Sequence, residues 1–159
     1  MNDIKQQNFC QNIPGYISLH AAMKSDINTF QRNNEKYVSI GLKEGKTLGE
    51  IECNNISVNN PFLDGAFNLE INAFITFSSD YLDKVLSDMT NEEFVVILKD
   101  RNQVLWVAGT KDEPLHFRFT HLGEESVTGK HGYLITFYRK MQDPLSLLHV
   151  ETTPAEPEE

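Results

Sequence analysis

Ala66-Phe-Asn-Leu-Glu-Ile-Asn-Ala-Phe-Ile-Thr-Phe77 is the stretch from which the fold class follows. Phe67, Leu69, Ile71, Ala73, Ile75 and Phe77 fall on one side of an extended chain, and Asn68, Glu70, Asn72 and Thr76 on the other, with Phe74 the one exception. Side chains of a strand alternate between faces, so this period of two predicts a long strand with one face buried. The pattern then changes. Ser78, Ser79 and Asp80 offer capping oxygens, and Leu82, Val85, Leu86 and Met89 follow at helical spacing until Thr90-Asn91. One short amphipathic helix, about residues 79–90, is expected directly after the strand.

Downstream, Glu93 to Lys99 and Gln103 to Ala108 are rich in β-branched and aromatic residues, and Asp100-Arg101-Asn102 has the composition of a tight turn. An antiparallel hairpin is predicted. Its first strand is apolar on both sides, with Val95 and Ile97 opposing Phe94, Val96 and Leu98, which calls for cover on both faces, one of them by the helical stripe. After a turn at 109–114, Leu115, Phe117 and Phe119 alternate with His116, Arg118 and Thr120. A loop from His121 to Lys130 leads to a last strand, Gly132 to Tyr138, in which Tyr133, Ile135 and Phe137 oppose Leu134, Thr136 and Tyr138. Its second face is partly apolar too, and is expected to be covered within the domain or by a neighbouring subunit.

The first third reads less sharply. Pro14 to His20 and Glu50 to Val58 suggest strands, Asp26 to Gln31 a helical turn, and Asn33 to Gly49, with Gly41, Gly45 and Gly49, a long loop. Six or seven strands and one helix give a mainly β fold: an antiparallel β-sandwich or flattened barrel with the helix packed at an edge.

A chain of 159 residues, 40% hydrophobic and 23% charged, has the size and balance of one globular domain. That domain is placed at 1–150, and residues 151–159, with two prolines among four glutamates, form an acidic disordered tail. A net charge of -9 disfavours general nucleic-acid binding and binding to anionic membranes. Met1 to Asn12 lacks the basic and apolar segments of a secretory signal, and the longest apolar runs are of strand length, so a protein made in a cytoplasm is expected. Cys10 and Cys53 have no paired spacing and read as reduced thiols, Cys53 buried in a strand.

No catalytic set emerges. His116 and His121 are the nearest histidine pair, but five residues apart on a strand they point to opposite faces, and no carboxylate or cysteine completes a ligand set. His20, His131 and His149 lie near element ends. Ser57, Ser126 and Ser146 stand in no nucleophile elbow, and the segment from Gly41 to Gly45 lacks the GxxxxGK[ST] order of a phosphate loop and shows no preceding strand or clear helix. Glu92-Glu93 and Glu124-Glu125 read as solvated turns rather than as a glycosidase pair. Trp106, on the side of Val104 and Ala108, reads as core packing. Catalytic, cofactor-binding and metal-ligating residues are therefore all assigned as none. Two other readings compete with a purely structural one: a small-molecule or carbohydrate-binding β module using Trp106, Tyr133 or Tyr138 as a stacking surface, and an enzyme using His116, Arg118 and Glu124.

The C-terminal half carries an ordered set of residues: Phe94-Val-Val-Ile-Leu-Lys-Asp100, Asn102, Val107-Ala-Gly109, Pro114-Leu115, Gly129, and Gly132-Tyr133 with Leu134-Ile-Thr-Phe137. This order resembles uncharacterised proteins encoded near bacteriophage tail genes, over about a third of the chain, and the Ile13-Pro-Gly15 opening is similar as well. Where such proteins carry a basic element ahead of the helix, this chain has Ser78 to Tyr81. The resemblance implies a virion component: a tail-tube, neck or connector-ring subunit that forms a homo-oligomeric ring with other virion proteins. An acidic lining would let DNA pass through such a conduit without binding.

Overall fold

The computed structural model describes residues 15–33, 36–76, 78–123, 131–142 and 145–148. The strands are β1 (Tyr16–Met23), β2 (Ile27–Arg32), β3 (Tyr37–Leu42), β4 (Gly49–Glu50), β5 (Asn54–Asn59), β6 (Phe62–Leu63), β7 (Ala66–Ile75), β8 (Glu93–Asp100), β9 (Leu105–Ala108), β10 (Leu115–Leu122), β11 (Gly132–Met141) and β12 (Ser146–Leu148). One helix, α1 (Asp80–Met89), lies between β7 and β8. The strands join in a single sheet with the path β2-β3-β12-β9-β8-β10-β11-β7-β5, with β1 and β4 attached beside β8 and β6 beside β7. The β3–β12 pair is parallel and the other pairs are antiparallel. Among the described residues the path has two ends that do not meet, so the fold, mainly β and antiparallel, is a sandwich-like flattened barrel that is not closed.

β8 is the hinge of this arrangement. It pairs with β1 along one side and with β9 along the other, and at Phe94 and Glu93 it also pairs with Leu115 and His116 of β10. β9 and β10 are thus one line of chain, broken at 109–114, that leaves one layer and enters the next. Phe94, Val96 and Leu98 point into the larger core with Leu19, Leu69, Ile71, Leu115, Phe117, Tyr133, Ile135 and Phe137. Val95 and Ile97 point the other way, into a smaller core with Ile27, Val38 and Val107. The expected two-sided cover is present: Leu86 of α1 belongs to the larger core, and β2 and β3 roof the smaller one.

β7 alternates as its sequence predicts. Leu69, Ile71, Ala73 and Ile75 are buried, while Asn68, Glu70 and Asn72 are half-buried on the opposite face, and Phe77 lies outside the described residues. Ser79 caps α1, its side-chain oxygen accepting from the Leu82 N–H at 3.1 Å. Tyr133, Ile135 and Phe137 are buried, but the second face of β11 is only partly covered: Thr136 is buried, Tyr138 half-buried and Leu134 exposed.

Three expectations fail in the first third. Asp26 to Gln31 is no helical turn beyond the short 3-10 turn Lys24–Asp26; Ile27–Arg32 is β2. A helical segment of six residues has little stability of its own, whereas Ile27, Thr29 and Phe30 favour a strand and find a partner in β3. The loop assigned to 33–49 contains that partner, since Val38, Ile40 and Leu42 alternate toward the smaller core. Its glycines are not all loop residues. Gly41 sits within β3 because a Cβ there would collide with the Thr29 hydroxyl, and only Gly45, with φ +76°, serves a turn. The strand expected over Glu50 to Val58 is interrupted at 51–53, so Cys53 lies in a connection and is half-buried rather than within a strand.

Candidate functional site

Four surface features stand out, and each follows from where strands end. Two are the free ends of the sheet. β2 at one end and β5 at the other are each six residues long, and among the described residues each pairs along one side only. β5 is irregular, with Asn55 at φ +54° and a register shift between Asn54 and Ser57, the kind of bulge that twists an edge strand.

The third feature is a hairpin tip. β6 turns through Asp64 (φ +52°) and Gly65 (φ +78°) into the start of β7. Positive φ at both central residues is the two-residue turn that Asp-Gly favours, because it matches the twist of the flanking strands. The turn leaves Phe62 61% and Leu63 56% exposed at the end of the molecule, with Phe62 resting on Phe67 at a ring separation of 5.0 Å. Asp64-Gly65 between apolar pairs is the sequence signal for this element.

The fourth is a cleft of about 670 Å³ at the far end of β7, between α1 and the 50–54 segment. Ile17, Ile51, Ile75, Leu82, Val85 and Met89 supply its apolar walls, and Glu50 and Glu52 stand exposed on its rim. The cleft exists because α1 is docked by one end. The Tyr133 hydroxyl donates to Asp83 Oδ1 at 2.7 Å and lies 3.2 Å from the Ser79 carbonyl oxygen, which pins the helix's first turn. Only Leu86 of the apolar stripe is fully buried. Burial, followed by the hydrogen bond to Asp83, raises the Tyr133 pKa above its ordinary value. Burial and then the charge of Glu50 push the Cys53 thiol in the cleft up to about 11, so at neutral pH it is a protonated, sluggish nucleophile.

On the outer face of β7, β11 and β10, Asn72 accepts from the Thr136 hydroxyl at 2.7 Å and donates to Glu70 at 3.0 Å. Arg118 lies 3.7 Å from Glu70 and 4.7 Å above the Tyr138 ring. A shallow groove of about 540 Å³ there is bordered by His116, Arg118, Tyr138 and Lys140. His116 and Arg118 therefore share a face, while Glu124 and Glu125 lie outside the described residues. His121 stacks on Tyr133 at 4.8 Å, on the opposite face of β10 from His116, as the spacing required. Among the described residues no group of three metal-ligating side chains converges.

The aromatic stacking surface loses two of its three members. Tyr133 is fully buried, and Trp106 packs half-buried against the larger core with its indole N–H donating to Asp100 at 3.0 Å. Ser57 is exposed on edge strand β5, Ser146 falls in β12, and Gly41 and Gly45 belong to β3 and the turn after it. Cys10, Ser126 and His149 lie outside the described residues. No helix among the described residues is long and apolar enough to cross a membrane. Compared with known proteins, the chain matches no family model, no curated protein and no solved structure.

Proposed function

We propose that this protein is a non-catalytic virion component, a tail-tube, neck or connector-ring subunit of a bacteriophage, that works by assembling with copies of itself and with other virion proteins. The observation carrying this reading is the open sheet, in which β2 and β5, six residues each, end the strand path among the described residues. A free strand presents unpaired N–H and C=O groups to a further strand. Joining β5 of one copy to β2 of the next is a head-to-tail contact, and such contacts generate rings when the rotation closes. The resemblance of residues 94–137 to phage tail-neighbourhood proteins supports the same conclusion, and the net charge of -9 suits a conduit that DNA traverses without sticking.

The test is the mass of the purified full chain by light scattering after size exclusion. A fixed multiple of the 18.2 kDa subunit is expected. Lysines at exposed edge positions, Ser57→Lys and Asn59→Lys on β5 with Gln31→Lys on β2, should return the protein to monomers without lowering its melting temperature. A strict monomer at every concentration, which also fails to join other virion proteins, would overturn the reading.

A further inference from the structure

The groove on the outer face of β7, β11 and β10 runs against the charge of the chain. Acids outnumber bases 23 to 14 in the sequence, yet the groove is lined by Arg118, Arg139 and Lys140 against Glu70 alone. Arg139 is engaged elsewhere, by the Pro114 carbonyl oxygen at 2.9 Å and by Glu93 at 4.0 Å. Lys140 is exposed and has no ion pair or hydrogen bond among the described residues. Arg118, its side chain 58% exposed, is oriented from behind. The buried Thr136 hydroxyl donates to Asn72, Asn72 donates to Glu70, and Glu70 lies 3.7 Å from the guanidinium, which rests above the Tyr138 ring. At 3.7 Å the Glu70 contact is longer than a hydrogen bond, so it aims the guanidinium and leaves N–H donors for another acceptor. Tyr138 and Lys140 are two residues apart on β11, which sets the two available cations roughly 7 Å apart along the strand. One small anion does not bridge that gap. Carboxylates two residues apart on an extended chain do, at about 6–7 Å.

We infer that this groove holds the chain's own segment Glu156-Pro-Glu-Glu159, with Glu156 and Glu158 facing Lys140 and Arg118. Proline favours an extended conformation in itself and in the residue before it, which keeps the two glutamates at that spacing. The reach is sufficient. Leu147 pairs with Trp106, Trp106 with Leu98, and Phe94, four residues away on β8, with Leu115 beside His116, a path on the order of 20 Å. Eight residues, from Leu148 to Glu156, span up to about 26–29 Å. A tethered segment is offered to its site at an effective concentration on the order of mM, so surface ion pairs that are weak one by one suffice, and free anions compete poorly. The contact needs no second copy and stands independently of the assembly reading.

Zero-length carbodiimide coupling of the purified full chain tests it, with the linked residues identified by mass spectrometry in the band of single-subunit mass on a denaturing gel. Lys140 is expected to couple to Glu156, Glu158 or Glu159 several-fold more than exposed Lys43 and Lys84 do. Arg118→Gln, at an exposed side chain, should lower the Lys140 link several-fold although Lys140 and the segment are unchanged, and 1 M salt, where the screening length is about 3 Å, should do the same. A link undiminished by Arg118→Gln and by salt is what mere nearness along the chain would give, and it would overturn the inference. So would links spread evenly over the three lysines. Links found only in the band of double mass would assign the groove to a neighbouring copy's segment, and displacement of the link by a DNA oligonucleotide at 0.15 M salt would assign it to nucleic acid; either result overturns the assignment to the chain's own segment.

Discussion

A single carboxylate organises the β8–β9 turn. Asp100 accepts from the N–H groups of Asn102 at 2.8 Å and Val104 at 3.0 Å and from the Trp106 indole, while Gln103 takes φ +66°. An aspartate bonding its own backbone two residues on is a common way to hold a turn. Burial pushes the Asp100 carboxyl up, but the Trp106 bond and the two backbone bonds outweigh it, and its pKa lies below the usual value. A carboxyl whose folded pKa is depressed contributes stability above the unfolded value, near 3.9, and loses that contribution as pH falls through the folded pKa. Melting of Asp100→Asn beside the parent across acid and neutral pH should therefore show a gap that is widest near neutrality and narrows below about pH 4. A gap constant down to strong acid would mean that the charge is not what holds the turn.

At the level of elements, α1 was readable because both its signals are local: the Ser79 cap and the stripe Leu82, Val85, Leu86 and Met89. How it docks was not readable, since Tyr133 and Asp83 are 50 residues apart in the chain and meet only after β11 is in place. Tyr133→Phe keeps the ring in the core and removes the hydrogen bond to α1. The expected result is a melting temperature lower by about 2–4 °C, with faster amide exchange in the first turn of α1 than in β7. Unchanged exchange there would show that packing of Leu86 alone seats the helix. β3 shows the opposite outcome. Its alternation of Val38, Ile40 and Leu42 is present in the sequence, but Gly41 reads as a loop residue there and in the fold marks the close approach of Thr29 from β2.

For the whole molecule, β8 decides integrity, because it borders both cores and takes β1, β9 and β10 as neighbours. Leu98 is fully buried, and Leu98→Asp would place an unpaired carboxylate in the larger core at a cost of several kcal/mol, against a typical total of about 5–15 kcal/mol. Insoluble or unfolded protein is expected on expression; a soluble variant with the parental melting temperature would remove β8 from the centre of the fold. That this strand is buried on both faces was legible in Phe94 to Leu98, since a run without alternation has no polar side to offer water. Alternation and capping are properties of neighbouring residues, and so the β class, the helix, the β8–β9 hairpin and the inward faces of β7, β10 and β11 were determined by sequence alone. Which strands pair, where the sheet path stops, and that Phe62 and Leu63 stand at one end of β7 with a cleft at the other were decided only by tertiary structure. Strand pairing and clefts depend on groups far apart in the chain, whose contacts form only when β8, β10 and β11 close around a common core.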